Sequence, residues 1–280
     1  MKVLKKWGCT VLLVLLASGL TAQEVKVMSY NIKYDNVNDT VNNWNFRKEA
    51  MVQLLHHYGP HFVGMQEVLH NQLEYPDEHL ADYAYIGVGR DDGKQKGEYS
   101  PILYNSQHFE LLRTNTIWLS PTPEKVSKGW DAALERICTY ALFKEKSTGK
   151  ELYVFNTHFD HVGTEARKQS VNLILRQIKA VNTQNLPVVV TGDFNLEPDS
   201  EPIQLMQAGL TDGLQATQQP FYGPTGTFNG FDPNMVLDRR IDYIFVKNLQ
   251  VQRYLHIDDR MENNMHISDH LPVLAKLKME

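Results

Sequence analysis

Short polar side chains recur in this sequence where apolar runs end. Asn31 follows Val25–Tyr30, Glu67 follows Phe62–Met65, and Asn156 and His158 follow Tyr153–Phe155. Asp193 and Asn195 follow Val188–Val190, Asp242 lies at the start of Ile241–Val246, and Asp269 and His270 precede Leu271–Leu277. A carboxylate at the edge of a buried strand is costly unless it is paired or bound to a cation. An imidazole beside one can exchange a proton near neutral pH. Taken singly, an Asp, Asn or Glu at a strand end is ordinarily a cap or turn residue. Six such places in one chain, mixing acids, amides and imidazoles, point to one shared site.

Zinc is a poor fit to the histidines. His158-Phe159-Asp160-His161 lacks a leading histidine, with Asn156 in its place, and His266 and His270 are four apart but lack a neighbouring glutamate and run into Pro272. His56, His57, His61, His70 and His79 read as scattered surface residues. Gly192-Asp193 is similar to a calcineurin-like phosphatase motif, but no Gly-Asn-His segment follows it.

The elements that must position these groups alternate along the chain. Val25 to Ile32 reads as a strand and Asn45 to Tyr58 as a helix whose Met51, Leu54, Leu55 and Tyr58 share a face, stopped by Pro60. His61 to Gln66, Pro101 to Asn105, Ile137 to Phe143 and Glu151 to His158 read as strands. Glu165 to Val181 places Val171, Ile174, Leu175 and Ile178 at helical spacing, and Pro187 to Thr191 is a buried strand. Arg240 to Val246, Leu249 to Ile257 and Leu271 to Leu277 complete a mixed α/β pattern. Asp35–Asn43, Arg90–Gly97, Pro121–Asp131 and Gln215–Met235 are the expected loops, and long loops in a compact domain tend to carry function. Trp118, Trp130, Phe221, Tyr222, Phe228 and Phe231 fall in or beside them, either to pack on a substrate or to cap the core.

Residues 1–22 have the form of a secretory signal: Lys2, Lys5 and Lys6, then the apolar run Val11–Ala17, then small residues to Ala22. The apolar run is too short to span a bilayer, which takes roughly 20 residues. The expectation is therefore an exported protein, periplasmic or secreted, with no transmembrane segment after cleavage and one domain over residues 23–280. Cleavage would leave Cys138 as the one cysteine, so the fold must rest on its core. It would also remove three lysines and no acids, taking the formal charge from −5 to −8. An acidic chain without a Lys/Arg run is a poor general binder of polyanions, which weighs against a processive nuclease.

Taken in order, Ser29-Tyr30-Asn31-Ile32, Gln66-Glu67, Asn156-Thr157-His158, Gly192-Asp193-Phe194-Asn195, Arg240-Ile241-Asp242-Tyr243 and Ser268-Asp269-His270-Leu271-Pro272 resemble the endonuclease/exonuclease/phosphatase superfamily. That superfamily includes deoxyribonuclease I, apurinic endonucleases, inositol polyphosphate 5-phosphatases, neutral sphingomyelinases and the deadenylases, and the closest likeness is to a bacterial, deadenylase-like branch. The resemblance implies an α/β four-layer sandwich of two mixed, mainly antiparallel β-sheets flanked by helices. It implies hydrolysis of a phosphodiester or phosphomonoester by activated water, with Mg²⁺ (Mn²⁺ as a substitute) held by Glu67 with Asn31 and Asp269. Asp193 would activate the water and Asn195 hold it, Asp242 would orient His270, and His158 and Asn156 would face the phosphate. On the substrate-binding side, Glu98 is placed like the carboxylate that pairs with His158 in the nuclease branch, and Tyr99 and Arg136 sit where family members contact substrate phosphate. The implied partner is a phosphate ester, whether nucleic acid or nucleotide, inositol phosphate or phospholipid headgroup, met by a monomer. The competing expectation is a catalytically silent binding protein on the same fold.

Overall fold

The computed structural model describes residues 24–279, so the signal segment lies outside the described residues. The chain runs β1 (Glu24–Asn31), α1 (Trp44–Tyr58), β2 (Phe62–Gln66), α2 (His70–His79), β3 (Tyr83–Ile86), β4 (Ile102–Asn105), β5 (Phe109–Trp118), β6 (Ile137–Glu145) and β7 (Glu151–His158). It continues through α3 (Thr164–Val181), β8 (Val188–Asp193), α4 (Glu201–Gln207), β9 (Thr211–Asp212), α5 (Gly213–Ala216), β10 (Asp242–Lys247), β11 (Leu249–His256) and β12 (Val273–Met279).

The strands form two six-stranded sheets, ordered β11-β12-β1-β2-β4-β3 and β5-β6-β7-β8-β10-β9. Each is antiparallel except at one central pair, β1 with β2 in the first and β7 with β8 in the second. The sheets pack face to face through Val25, Val27, Phe62, Val154, Val189 and Ile244. A second apolar layer, including Met28, Met51, Leu55 and Val63, lies under α1 and α2, and a third, including Phe155, Val171, Ile174 and Val190, lies under α3 and α4. This is the expected four-layer arrangement.

Strand periodicity explains how such a fold assembles a polar site. Successive side chains point to opposite faces, so Val25 and Val27 put Asn31 on the inner face of β1, and Val154 does the same for Asn156 and His158 on β7. Val189 likewise places Asp193, and Ile244 places Asp242. The inward rows are apolar along most of their length and turn polar at one end of the sandwich.

Some elements escaped the sequence pattern for identifiable reasons. α2 contains Pro76, which removes a backbone donor and reads as a helix breaker. β5 is an edge strand with exposed residues along its middle, so apolar alternation is blurred. α1 behaves as read: Asn43 caps its start, and Gly59, at φ 54°, closes its end before Pro60.

Candidate active site at one end of the sandwich

Register fixes the centre of the site. Asp193 at the end of β8 lies opposite Asp242 across the antiparallel pair and beside His158 across the parallel pair. A slip of one residue would turn these side chains to the outer face. Asn31 at the end of β1 reaches across from the first sheet, donating to Glu67 Oε1 at 3.1 Å and Asp193 Oδ2 at 3.0 Å. Ser268 Oγ donates to the Asn31 carbonyl at 2.7 Å, which ties the Ser268-Asp269-His270 segment to the same strand end. Glu67, His158, Asp193, Asn195, Asp269, His270, Glu98 and Arg136 all line one hollow of about 560 Å³.

His270 sits between two carboxylates. Its Nδ1 is 2.9 Å from Asp242 Oδ2 and its Nε2 is 3.7 Å from Asp193 Oδ2. Burial alone would lower this imidazole, but Asp242 and Asp193 outweigh it and push it up to about 10. Burial, reinforced by Asp242, pushes the Asp193 carboxyl well above the usual carboxylate range against the pull of His270. The result is a carboxyl able to accept a proton beside an imidazolium that keeps one.

His158 has the opposite character. Burial, with Arg136 and Arg90 nearby, drives it well below its ordinary value. Its Nε2 lies 3.2 Å from Asn195 Nδ2, an amide donor, so the ring proton belongs on Nδ1, which faces Glu98 Oε2 at 3.9 Å. His158 Nε2 and Asp193 Oδ2, 3.5 Å apart, are then two acceptors rather than an ion pair.

The metal-binding expectation can be tested on the donors themselves. Glu67 Oε2 and Asp269 Oδ2 converge on one point, where the Lys33 ammonium lies 3.2 Å from the first and 3.4 Å from the second. Burial would raise the Glu67 carboxyl, but Lys33, His270 and hydrogen bonds from Asn31 and the Tyr34 amide hold it below the usual range. Burial raises the Asp269 carboxyl. A half-buried and a buried carboxylate aimed at a cation form an all-oxygen set of the kind magnesium takes, so the residues fit. Asn31 departs from its expected part, because its amide nitrogen faces both carboxylates and clamps them together. Asp193, Asp242 and His270 also bring ligand atoms within 4.8 Å of one another, but there the protonated imidazole already supplies the positive charge.

Two expected substrate contacts are placed differently. Tyr99 is buried with its hydroxyl 2.9 Å from the Lys94 carbonyl and 3.2 Å from His70, and it does not line the hollow. Asn156 lies beneath the hollow. Its amide donates to the carbonyls of Met65 and Pro101 at 2.6 and 2.8 Å and accepts from Gln66 and Thr191 at 2.7 and 3.0 Å, leaving nothing for a phosphate. Glu98 does line the hollow, but Arg90 grips it with two bonds of 2.7 and 2.9 Å. Arg136 reaches Asp160 Oδ2 at 3.5 Å and His161 at 3.1 Å, and its buried Nη1 has no partner among the described residues.

Sequence reasoning missed Lys33, Arg90, Arg47 and the Asp160 loop. Arg47, on α1, donates to the carbonyls of Ile32 and Ile267 at 2.8 Å each, and so fixes the segments that carry Lys33 and Asp269. Asp160 accepts from the amides of Ala133, Leu134, Val162 and Gly163, holding the loop that presents Arg136. Lys33 could have been noticed, since it directly follows the Ser29–Ile32 segment. His61 and His70 are half-buried and bonded, to the Lys26 amide and Tyr99, rather than loose surface residues. Among the loop aromatics Phe228 enters the site, edge-on to His270 with ring centres 5.2 Å apart.

The chain belongs to the endonuclease/exonuclease/phosphatase family, which it matches over residues 28–270. Members of that family are phosphoester hydrolases. Among solved structures, the chain is similar to an endonuclease/exonuclease/phosphatase from Bacteroides vulgatus, at 41% identity and TM-score 0.88, covering 92% of this chain and 100% of that one. It is also similar to a mannosyl-6-phosphatase from Bacteroides thetaiotaomicron, at 38% identity and TM-score 0.87, covering 90% and 99%. A more distant relative is the CCR4-Not complex 3'-5'-exoribonuclease subunit Ccr4 of Mycosarcoma maydis, 22% identical over 70% of this chain but only 37% of that protein.

Proposed function

We propose that this protein is an exported, divalent-metal-dependent phosphomonoesterase acting on a sugar phosphate or a phosphate ester of similar size. The observation that carries the reading is the convergence of Glu67, Asp193 and His270, from distant parts of the chain, in one hollow with the unpartnered Arg136 Nη1. Glu67 and Asp269 would hold the cation, which when bound polarises the phosphoryl oxygens. Asp193 takes a proton from the attacking water, and Asn195 holds the Asp193 carboxylate in place, its backbone amide donating to Asp193 Oδ1 at 2.9 Å. His270, kept charged by Asp242, offers its Nε2 proton to the charge that builds on the phosphoryl group or leaving oxygen. Arg136 and Arg239, both lining the hollow, supply further positive charge for a phosphate.

The compact hollow and the net charge of −5 favour a small monoester over a long polyanion. The likeness to a mannosyl-6-phosphatase supports a sugar phosphate in particular, and the exoribonuclease relative supplies the competing nuclease reading. The test is a phosphate-release screen of the purified mature protein across hexose phosphates, nucleotides, inositol phosphates, phospholipids and RNA, with magnesium, with EDTA, and with metal restored. Hydrolysis of hexose phosphates that EDTA stops and magnesium or manganese restores is expected. Preference for RNA would favour the nuclease, and silence on all substrates the binding protein.

A further inference from the structure

Larger than the catalytic hollow is a groove of about 950 Å³ on the outer face of the first sheet. Its floor is set by strand register. Lys26 on β1 lies opposite Lys276 on β12, which lies opposite Arg253 on β11. Three cations thus stand in a row across three neighbouring strands, an arrangement that is destabilising for like charges directly opposed. Beside them runs an apolar row in the same register, Leu274 opposite Leu255.

The charges in the groove are unevenly satisfied. Asp258 at its mouth is taken up by Arg260 at 3.2 Å, and Asp259 by the Tyr58 hydroxyl. Lys276 has Glu24 at 3.3 Å, whereas among the described residues Lys26 Nζ finds only the Tyr58 carbonyl at 3.1 Å. Arg253, half-buried, makes no side-chain hydrogen bond or ion pair with any other described residue. One wall is the 221–224 segment, which docks on β11 through the Tyr222–Leu255 bridge and the 3.0 Å bond from the His256 amide to the Tyr222 carbonyl. It leaves the Tyr222 ring 69% exposed at the rim.

We propose that this groove is a second binding site, for an organic anion carrying a ring: the anionic group pairs with Arg253, Lys26 and Lys276, and the ring packs on Tyr222 and the Leu255–Leu274 row. Along β1, Lys26 is five residues from Asn31, so the groove and the hollow are separated by ~17 Å of strand and open on different faces of the sheet. A ligand in the groove is therefore additional to the substrate at the hollow.

Benzoate and glucuronate are probes that a phosphoesterase cannot hydrolyse, one aromatic and one a sugar, with acetate as the ringless control. In protein labelled at leucine methyl groups, saturable shifts of the Leu255 and Leu274 resonances are expected with benzoate or glucuronate, and which of the two binds more tightly identifies the kind of ring. Arg253→Glu and Lys276→Glu should each weaken binding about tenfold or more, the scale of one lost charge-assisted contact, while phosphate release stays at the wild-type rate. The remaining methyl spectrum reports whether each variant is folded, and Lys276→Gln serves if a charge reversal is not tolerated. The proposal fails if neither ring-bearing anion moves these methyl groups at millimolar concentration, if acetate moves them equally, or if the shifts persist in the folded variants.

Discussion

Asp242→Asn removes one charge and almost no volume. Asp242 is fully buried, and its Oδ2 takes the His270 Nδ1 proton at 2.9 Å. An asparagine can keep that hydrogen bond through its carbonyl oxygen, so ring position should survive while the electrostatic support is lost. Asp242 is the largest of the causes that raise His270 to about 10, and without it burial pulls the imidazole back toward or below its ordinary value of about 6.5. At pH 8 the wild-type ring is charged and the variant ring neutral. If the imidazolium stabilises the transferring phosphoryl group, kcat should fall on the order of a hundred- to ten-thousand-fold. The alkaline limb of the rate profile should move down by several pH units, so the deficit should shrink toward acid pH. Imidazole ¹⁵N shifts report the protonation state directly, and phosphate release against pH reports its consequence. Calorimetric magnesium affinity should change little, because Glu67 and Asp269 are intact. A wild-type profile with an unshifted imidazolium would refute the role given to Asp242. A large loss of metal affinity would place the cation among Asp193, Asp242 and His270 instead.

Glu67→Gln should weaken magnesium binding by about tenfold or more, the least that loss of one charged ligand is expected to cost, read by calorimetry without any substrate; unchanged affinity would remove Glu67 from the metal site. Asn156→Ala should lower unfolding stability by on the order of 3 kcal/mol or more in urea, since it leaves several buried partners unpaired. A substrate-contacting Asn156 would instead raise KM with stability intact. His256 is buried and held by its environment at about 4, with Nδ1 donating to the Pro224 carbonyl at 2.7 Å. Its unfolded value of about 6.5 is higher, so stability is full above pH 6.5 and declines by about 3 kcal/mol as the pH falls to 4. His256→Gln should flatten that part of the urea-midpoint curve, and an unaltered slope would assign it to other groups.

The residues that could be read from sequence are those whose type and strand position jointly constrain them. Asp193 and Asp242 stand at the ends of continuous β-branched or aromatic runs and His270 precedes the apolar Leu271–Leu277 stretch, so their burial follows from the pattern. Glu67, Asn31 and Asp269 were legible for the same reason. Arg90 and Asp160 were not, because they lie in loops whose partners, Glu98 and the amides of 133–134 and 162–163, are set by tertiary packing alone. Tyr99 was misplaced because proximity to Glu98 in sequence says nothing of direction, and alternation past a bridge at Val68–Tyr99 sends its ring away from the hollow.

Asn156 shows why an amide in a catalytic motif need not touch substrate. It belongs to β7 of the second sheet, yet it bonds to Met65 and Gln66 of β2 in the first and to Thr191 of β8 in its own. Gln66 immediately precedes Glu67, and Thr191 is two residues before Asp193. Asn156 therefore sets the distance between the metal-facing carboxylate and the base, which come from different sheets. The hollow also carries backbone tension: Lys33, Glu67 and Asn195 have φ of 59°, 59° and 51°, a region that non-glycine residues enter at a cost of about 1–3 kcal/mol each. Such conformations persist only where neighbours over-determine them. The Asn156 network beneath, the Arg47 clamp behind Lys33 and the Asp193–Asn195 turn are the neighbours that do so. Stability held in this buried polar network is what lets the chain keep acids, imidazoles and strained backbone together at one end of an otherwise apolar sandwich.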